Sequence, residues 1–260
     1  MLSDLVSRDV EWRHLGERRG RQLGTLDAIL RSSGPFIIRI CSSGVDRIAS
    51  QIGRNLFQYF AADSEMVYGC NASTGGPPTA TTDGHPFTGG NVITVALGDE
   101  MPASVYATFP VFAGGGRLRL SPVSTLMNIP IASFPLHRPA DGSSQHDYHY
   151  EDGLAAIFLR PLHNERLELM VWGVDLVGLE QAARLVPALT GVGQPDFVVM
   201  MSAECRLLGH AGIYAAGFFD YSWQISEGSY IRRTCERRQK DRQRERERER
   251  ERHGDMEMTV

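Results

Sequence analysis

The segment GPFIIRICSSGVDRIASQIGRNLFQYF, residues 34–60, has the clearest secondary-structure pattern in the chain. Its apolar run FIIRIC, residues 36–41, is typical of a strand buried in a parallel sheet. A polar turn follows at 42–44, and apolar residues then recur at helical spacing. They are Val45, Ile48, Ala49, Ile52, Leu56, Tyr59 and Phe60. Strand, turn and amphipathic helix together predict the opening half of a βαβ unit.

Further elements extend from this unit in both directions. A short helix is expected at 26–33, and loop or short helix at 210–223. Strands are predicted at 66–68, 91–98, 153–162, 167–175 and 197–201, with a helix at 176–189. The turn-like residues 163–165 predict an antiparallel hairpin. This order indicates an α/β fold with a mixed, mostly parallel sheet and flanking helices, a flavodoxin-like three-layer arrangement.

Composition divides the chain into a lead-in, one domain and a tail. Residues 1–24 are polar and arginine-rich, residues 25–231 form the predicted α/β domain, and segments 69–90 and 138–152 are expected to be long loops. Residues 232–260 alternate Arg and Glu without an apolar face, so a solvated, poorly ordered segment is expected. An RNA-processing type of tract and a misplaced gene end remain open alternatives for this tail.

The charge distribution limits the partners of the domain. The tail has 11 Lys+Arg and 8 Asp+Glu, whereas the rest has 16 and 23, a net charge of -7. Such an acidic body is not expected to bind nucleic acid, and the partners of the tail stay open. Lys240 is the sole lysine, which argues against a P-loop or a Schiff-base lysine in the folded part.

The apolar stretches, the N-terminal segment and the cysteines all bear on the cellular compartment. No stretch is long enough to span a bilayer, and MLSDLVSRDVEWRH does not have the pattern of a signal peptide, so a cytosolic or nuclear location is expected from the sequence as written. The cysteines are Cys41, Cys70, Cys205 and Cys235. None forms a C-x-x-C pair, and neither a zinc site nor another cofactor is expected. A Cys41–Cys70 disulfide is one alternative, and reduced core thiols are the favoured one.

The turn of Ser42, Ser43 and Gly44 is the first candidate site. Backbone N–H groups at the start of a helix can hold an anion, so this turn is a candidate anion-binding site. The alternative, which we favour, is that Ser42 or Ser43 caps the helix.

A metal site and a catalytic triad are the other candidates. His146 and His149 lie in HDYHYED and could bind a metal, although a solvated loop is favoured. Asp175 follows a strand and His210 comes later, which is the chain order of an α/β-hydrolase, with Ser43 or Ser202 as weak nucleophile candidates. No G-x-S-x-G elbow is present, and the sequon at Asn71 matters only in a secreted protein.

Several segments resemble the C-terminal region of fungal secreted α/β-hydrolase-like proteins of the prolyl-oligopeptidase-like, peptidase S9-like kind. The most specific is VWGVDLVGLEQAARLVPALTGVGQPDFVVM, residues 171–200, with support from segments 22–39, 51–65 and 91–100. The resemblance covers roughly residues 20–226. It implies a flavodoxin-like accessory region whose partner is an upstream hydrolase domain carrying the nucleophile, so no catalytic residue transfers to this chain. The family is secreted.

These observations favour a non-catalytic accessory or interaction domain, a truncated member of a secreted hydrolase-like family. A self-sufficient esterase or peptidase is a second hypothesis. A small-anion or nucleotide-binding module at the 42–44 turn, by analogy with flavodoxin-like sheets, is a third.

Overall fold

The computed structural model describes residues 16–70, 90–106, 108–121, 146–186, 194–201 and 212–231. Eleven strands in these ranges form two sheets. They are β1 (Phe36–Ile40), β2 (Ser64–Tyr68), β3 (Val92–Leu97), β4 (Val111–Gly114), β5 (Arg117–Leu120), β6 (His146–His149), β7 (Leu154–Pro161), β8 (Leu167–Gly173), β9 (Phe197–Met201), β10 (Ile213–Gly217) and β11 (Tyr230–Ile231). The larger sheet has the order β11-β10-β9-β7-β8-β3-β1-β2, and the smaller has the order β4-β5-β6.

One half of the large sheet is parallel. Strands β2, β1, β3 and β8 run in the same direction, and helix α1 (Asp46–Phe60) connects β1 to β2. The apolar face of α1 is buried on these strands, as the helical spacing predicts. The helix ends at Ala61, whose φ of 49° is left-handed and whose N–H bonds back to Leu56 and Phe57.

The other half of the large sheet is antiparallel. The expected hairpin of β7 and β8 is present, and Asn164 and Glu165 both have positive φ, as a two-residue hairpin turn requires. Strands β9, β10 and β11 continue the antiparallel pairing outward from β7. Every residue of β7 and β8 is buried, which explains their nearly continuous apolar sequence.

The two faces of the large sheet have different covers. Helix α1 and helix α2 (Leu176–Ala183) pack on one face of the sheet. Helix α2 lies so close to β8 that a Cβ at Gly173 would be 2.4 Å from the backbone nitrogen of Leu179. The small sheet and its flanking loops cover the opposite face. There Tyr150 lies 5.5 Å from Trp172 and Phe109 lies 6.0 Å from Phe158, between ring centroids.

Part of the predicted polar lead-in packs on the domain. The buried guanidinium of Arg18 pairs with Asp196 at 2.6 Å, donates to the carbonyl of Phe219 and lies 4.7 Å from the ring centroid of Trp223. Burial raises the pKa of the Asp196 carboxyl, and the bonds from Arg18 offset part of that rise. Residues 232–260, the predicted tail, lie outside the described residues.

The expected α/β class, a flavodoxin-like three-layer fold with a mostly parallel sheet, is wrong. The described residues are mostly β, with two α-helices, and both helices lie on the same face of the sheet. Four antiparallel strand pairs outnumber three parallel ones in the large sheet. The physical reason is that a second sheet, rather than a second helix layer, buries the other apolar face.

Several element predictions also need correction. The segment 210–223, expected as loop or helix, contains β10, and the predicted loop 138–152 contains β6. The expected helix at 26–33 is a short 3-10 helix, Leu26–Leu30, and α2 ends at Ala183. The remainder of the predicted helix 176–189 beyond Val186 lies outside the described residues, as does 71–89 of the predicted loop.

Candidate functional site

In the turn at the carboxyl end of β1, the first serine forms a hydrogen bond within the fold, whereas the next two residues are exposed to solvent. The hydroxyl of Ser42 is buried and accepts a 2.8 Å hydrogen bond from the N–H of Leu97, which ties the β1 turn to the end of β3. The favoured serine cap is absent, because Val45 is the N-cap of α1 and no side chain caps it. Ser43 is exposed, and Gly44 has a φ of +79° with open space around it.

A disulfide lies beside this turn. Cys41 and Cys70 are bonded, with 5.0 Å between their Cα atoms, so the link joins the carboxyl ends of β1 and β2. Of the two alternatives, the structure therefore has the disulfide and not the favoured pair of reduced thiols; Cys205 and Cys235 lie outside the described residues.

The start of helix α1 already has a negative group beside it. Asp46 occupies the first turn of α1 and bonds to the Tyr68 hydroxyl, which raises the pKa of Tyr68. An anion at this turn would thus meet a carboxylate next to the backbone N–H groups that the anion-binding prediction uses.

The predicted strand-end aspartate is fully engaged. The two carboxylate oxygens of Asp175 accept hydrogen bonds from the N–H groups of Gly178 and Gly153, at 2.7 and 2.8 Å. Asp175 therefore caps α2 and fixes the turn before β7. Its suggested partners Ser202 and His210, and the sequon residue Asn71, lie outside the described residues.

The two candidate metal ligands do not converge. His146 and His149 are three positions apart in β6, and side chains at that spacing project from opposite faces of a strand. Between them, Asp147 pairs with Arg117 and Arg119 of β5. Across the described part of the chain, no group of three or more His, Cys, Asp or Glu side chains could hold a metal ion.

A row of polar side chains crosses the sheet face that the small sheet covers. Glu168 in β8 accepts from Arg160 in β7 at 2.6 Å and from the hydroxyl of Thr94 in β3. Arg39 in β1 approaches the same carboxylate at 3.5 Å. Burial on its own would raise the pKa of the Glu168 carboxyl, but Arg160, Arg39 and Thr94 hold that pKa below its usual value. We call Arg39, Thr94, Glu168 and Arg160 the polar row.

One edge of the large sheet, as formed by the described residues, carries exposed apolar side chains. Strand β2 ends the sheet order and, among the described strands, pairs only with β1. Its Met66 and Tyr68 are 37% and 68% exposed, and Phe57 of the adjoining helix α1 is 67% exposed. We call these three residues, with the outer side of β2, the β2 edge. Strand β2 contains no proline, lysine, arginine or bulge, and Glu65 is its one charged residue.

A shallow groove lies between the two helices. It has a volume of about 240 Å³, an apolar floor that includes Ile48 and Ile52, and the exposed side chains of Arg47, Glu180 and Arg184 at its rim.

The sequence reading missed the polar row and the β2 edge. Arg39 interrupts FIIRIC and Glu168 interrupts LELMVWG, and a charge inside an otherwise buried strand is the signal that could have revealed a paired site. The edge could not be seen in the same way, because nothing in the local sequence tells which strand ends the sheet.

Comparison with known proteins gives one informative match. The chain is 40% identical over 220 residues to an uncharacterized secreted protein of Arthroderma benhamiae, and the aligned region is 85% of this chain and 21% of that protein. The chain thus spans about one fifth of the length of the curated relative it matches. No family model and no solved structure matches the chain.

These comparisons correct the resemblance. Assignment to prolyl-oligopeptidase-like, peptidase S9-like hydrolases is wrong, because the relative is described only as an uncharacterized secreted protein and no family model supports a hydrolase. Within the described residues, no helix is both long and apolar enough to cross a membrane.

Proposed function

We propose that this chain is an interaction domain, not a catalytic one, of an extracellular protein, and that it associates with a second copy of itself through the β2 edge. The observation that carries the proposal is the exposed apolar surface beside a strand that, among the described residues, is paired on one side only. Unpaired N–H and C=O groups beside apolar side chains form a template for another strand, and proteins commonly bind by adding a strand to such an edge.

The extracellular setting is supported by covalent chemistry. Disulfides persist in oxidising compartments and are rare in the cytosol, and the Cys41–Cys70 bond joins two strands of the domain. The relative of Arthroderma benhamiae is described as secreted. Two candidate site residues also favour a structural use, since Ser42 of the anion-binding candidate and Asp175 of the catalytic candidate have hydrogen-bonding partners within the fold.

A second copy suits the β2 edge because the strand is self-complementary. Antiparallel pairing about a two-fold axis at Met66 places Met66 opposite its own copy, Tyr68 opposite Ser64 and Glu65 opposite Val67. No like charges then lie directly opposite each other. The two Glu65 side chains are diagonal neighbours about 7–8 Å apart, close to the Debye length at physiological ionic strength, so salt screens their repulsion in part.

The expected association is weak. Five residues of strand and three exposed side chains form an interface below the roughly 1,200 Å² that stable complexes bury. Such a contact becomes effective when a longer polypeptide presents several modules together, because linkage raises the effective concentration. The proposal therefore predicts concentration-dependent dimers of the isolated chain.

The test is the molar mass of the full chain by sedimentation velocity over a concentration series that reaches on the order of 100 μM. The mass should rise from monomer toward dimer, and Met66→Lys should keep it monomeric because a charged side chain at the centre of the pairing opposes its own copy. The matched control is Phe112→Lys. Phe112 is an exposed aromatic residue, 51% exposed, on the edge strand β4 of the other sheet. A monomer at all concentrations, or equal loss in the control, contradicts the proposal.

A further inference from the structure

Three arginines lie near one carboxylate on the sheet face opposite the helices. Arg39 and Arg160 form ion pairs with Glu168, and Arg166 lies two residues before Glu168 in the chain, so the four side chains carry a net charge of +2. Arg160 is the most closely paired of the three, since its Nε lies 2.6 Å from Glu168 and its Nη1 donates to the carbonyl of Pro102 at 2.8 Å. The excess positive charge therefore resides on the other two arginines.

Those two arginines have few partners. The closest carboxylate contact of Arg39 is the 3.5 Å approach of Nη1 to Glu168, and Arg166 donates from Nε to the carbonyl of Gly90 at 2.6 Å. In the described ranges neither guanidinium has another hydrogen bond or ion pair. Both side chains are partly buried, with Arg39 26% exposed, so water compensates these charges only in part.

The charge of Arg39 also affects Arg166. Burial lowers the pKa of Arg166, and the positive charge of Arg39 lowers it further. Arg166 lies directly before β8, two positions from Glu168, and Arg39 reaches the Glu168 carboxylate across β3. Two partly buried positive charges near one carboxylate are costly without a further counterion.

We propose that Arg39 and Arg166 form a binding site for a phosphate or sulfate group, independent of the β2 edge. Each guanidinium has unused N–H donors in a planar fork, the geometry that pairs with two oxygens of an oxyanion. A doubly charged group balances the net charge of +2, whereas a single carboxylate balances half of it. Glu168 positions the site by holding Arg39. Glu168 is in turn held in place by its hydrogen bonds from Arg160 and Thr94.

The test is calorimetric titration of the full chain with inorganic phosphate, with inorganic sulfate, and with phenyl phosphate as a phosphomonoester, at constant ionic strength. Saturable binding with a 1:1 stoichiometry is expected. Arg39→Gln and Arg166→Gln should each weaken binding by at least about tenfold, the loss expected for a charge-assisted hydrogen bond. Tighter binding of phenyl phosphate than of phosphate would identify the source as a group on a larger molecule.

Two controls keep the proposal open to refutation. Arg54→Gln removes an exposed arginine of α1 and should leave affinity unchanged. Arg166→Lys keeps the charge and a donor but loses the planar fork, so it should fold as the wild type and bind more weakly. Equal affinity for chloride, or equal weakening in the Arg54→Gln variant, would mean general screening and would overturn the site.

Discussion

Glu168 is the residue that most of the charged side chains in the polar row contact. It is fully buried in a central strand, and it is stable there as a carboxylate because Arg160, Arg39 and Thr94 supply hydrogen bonds and positive charge. Removing one partner of such a buried pair leaves the other charge unsatisfied and typically costs about 3–5 kcal/mol.

Glu168→Gln should therefore lower the free energy of unfolding by about 3 kcal/mol at pH 7, since Arg160 stays buried without its counter-charge. The folded-state pKa of Glu168 lies below the unfolded-state value of about 4.3. Its stabilisation is complete above that value and is lost as the pH falls through the folded-state pKa. Urea unfolding at pH 7 and pH 3 checks this.

In that experiment the difference in free energy of unfolding between wild type and Glu168→Gln should be smaller at pH 3 than at pH 7. Glu180→Gln, a change at an exposed carboxylate on α2, provides the control and should alter stability by no more than about 0.5 kcal/mol. A difference that is unchanged or larger at pH 3 would be inconsistent with an ionised Glu168 in the native state.

The sequence could show at this scale that Arg39 and Glu168 are unusual, because both interrupt apolar strands. It could not show that they meet, since they are 129 positions apart and come together only through the order β1-β3-β8. Asp175 is the opposite case. Its place after a strand was visible, but its carboxylate serves the N-cap of α2 and the turn at Gly153.

Among the elements, the β1–α1–β2 unit is the one that the local sequence predicts best. Its strand, turn and helix appear where the apolar spacing places them, and the disulfide closes the unit across a separation of 29 residues. The antiparallel half is less visible. Strand β10 contains Gly and Ala, which pack on β9 but give no alternating pattern, and so the segment was expected to be loop or helix.

Opening the disulfide should destabilise this unit without abolishing the fold. Cys41→Ser removes a link that closes a loop of about 30 residues, which corresponds to about 3.5 kcal/mol in the chain-entropy model. Denaturant unfolding of wild type and variant, each with and without reductant, measures the loss. Reductant should lower the free energy of unfolding of the wild type to that of the variant. Equal stability under all four conditions would show that the bond is not formed.

Close packing of α2 on β8 depends on glycine. A Cβ at Gly173 would lie 2.4 Å from the backbone nitrogen of Leu179 and 2.8 Å from the carbonyl oxygen of Asp175. Gly173→Ala should therefore force α2 away and lower stability by about 2 kcal/mol or more, which exceeds any gain in strand propensity. Thermal unfolding tests this, with the exposed Val177→Ala as control. A variant as stable as the wild type would contradict the close approach.

At the scale of the whole molecule, two helices and a three-stranded sheet cover opposite faces of one eight-stranded sheet. The separate strands were largely predictable because each is an apolar run, but the layer arrangement was not. The strands of the small sheet are four residues long, and one of them, β6, reads as a polar loop. Their packing on Trp172 and Phe158 is a long-range contact that no local pattern specifies.

The shape of the molecule leaves two unequal sheet ends. At one end β11 has two residues, so it offers little backbone for pairing. At the other, β2 has five residues and apolar neighbours. In the relative of Arthroderma benhamiae, the region that aligns with this chain is about one fifth of the polypeptide.

The most direct measurement is cysteine crosslinking at the proposed two-fold axis. In the full chain, Met66→Cys places two thiols opposite each other, with Cα atoms about 4.5–5.5 Å apart, within reach of a disulfide. Glu65→Cys places them on a diagonal of about 7–8 Å, beyond that reach. We predict a covalent dimer on mild oxidation of Met66→Cys, and the background level of the wild type for Glu65→Cys. No dimer in Met66→Cys, or equal dimer in both variants, would contradict association through the β2 edge.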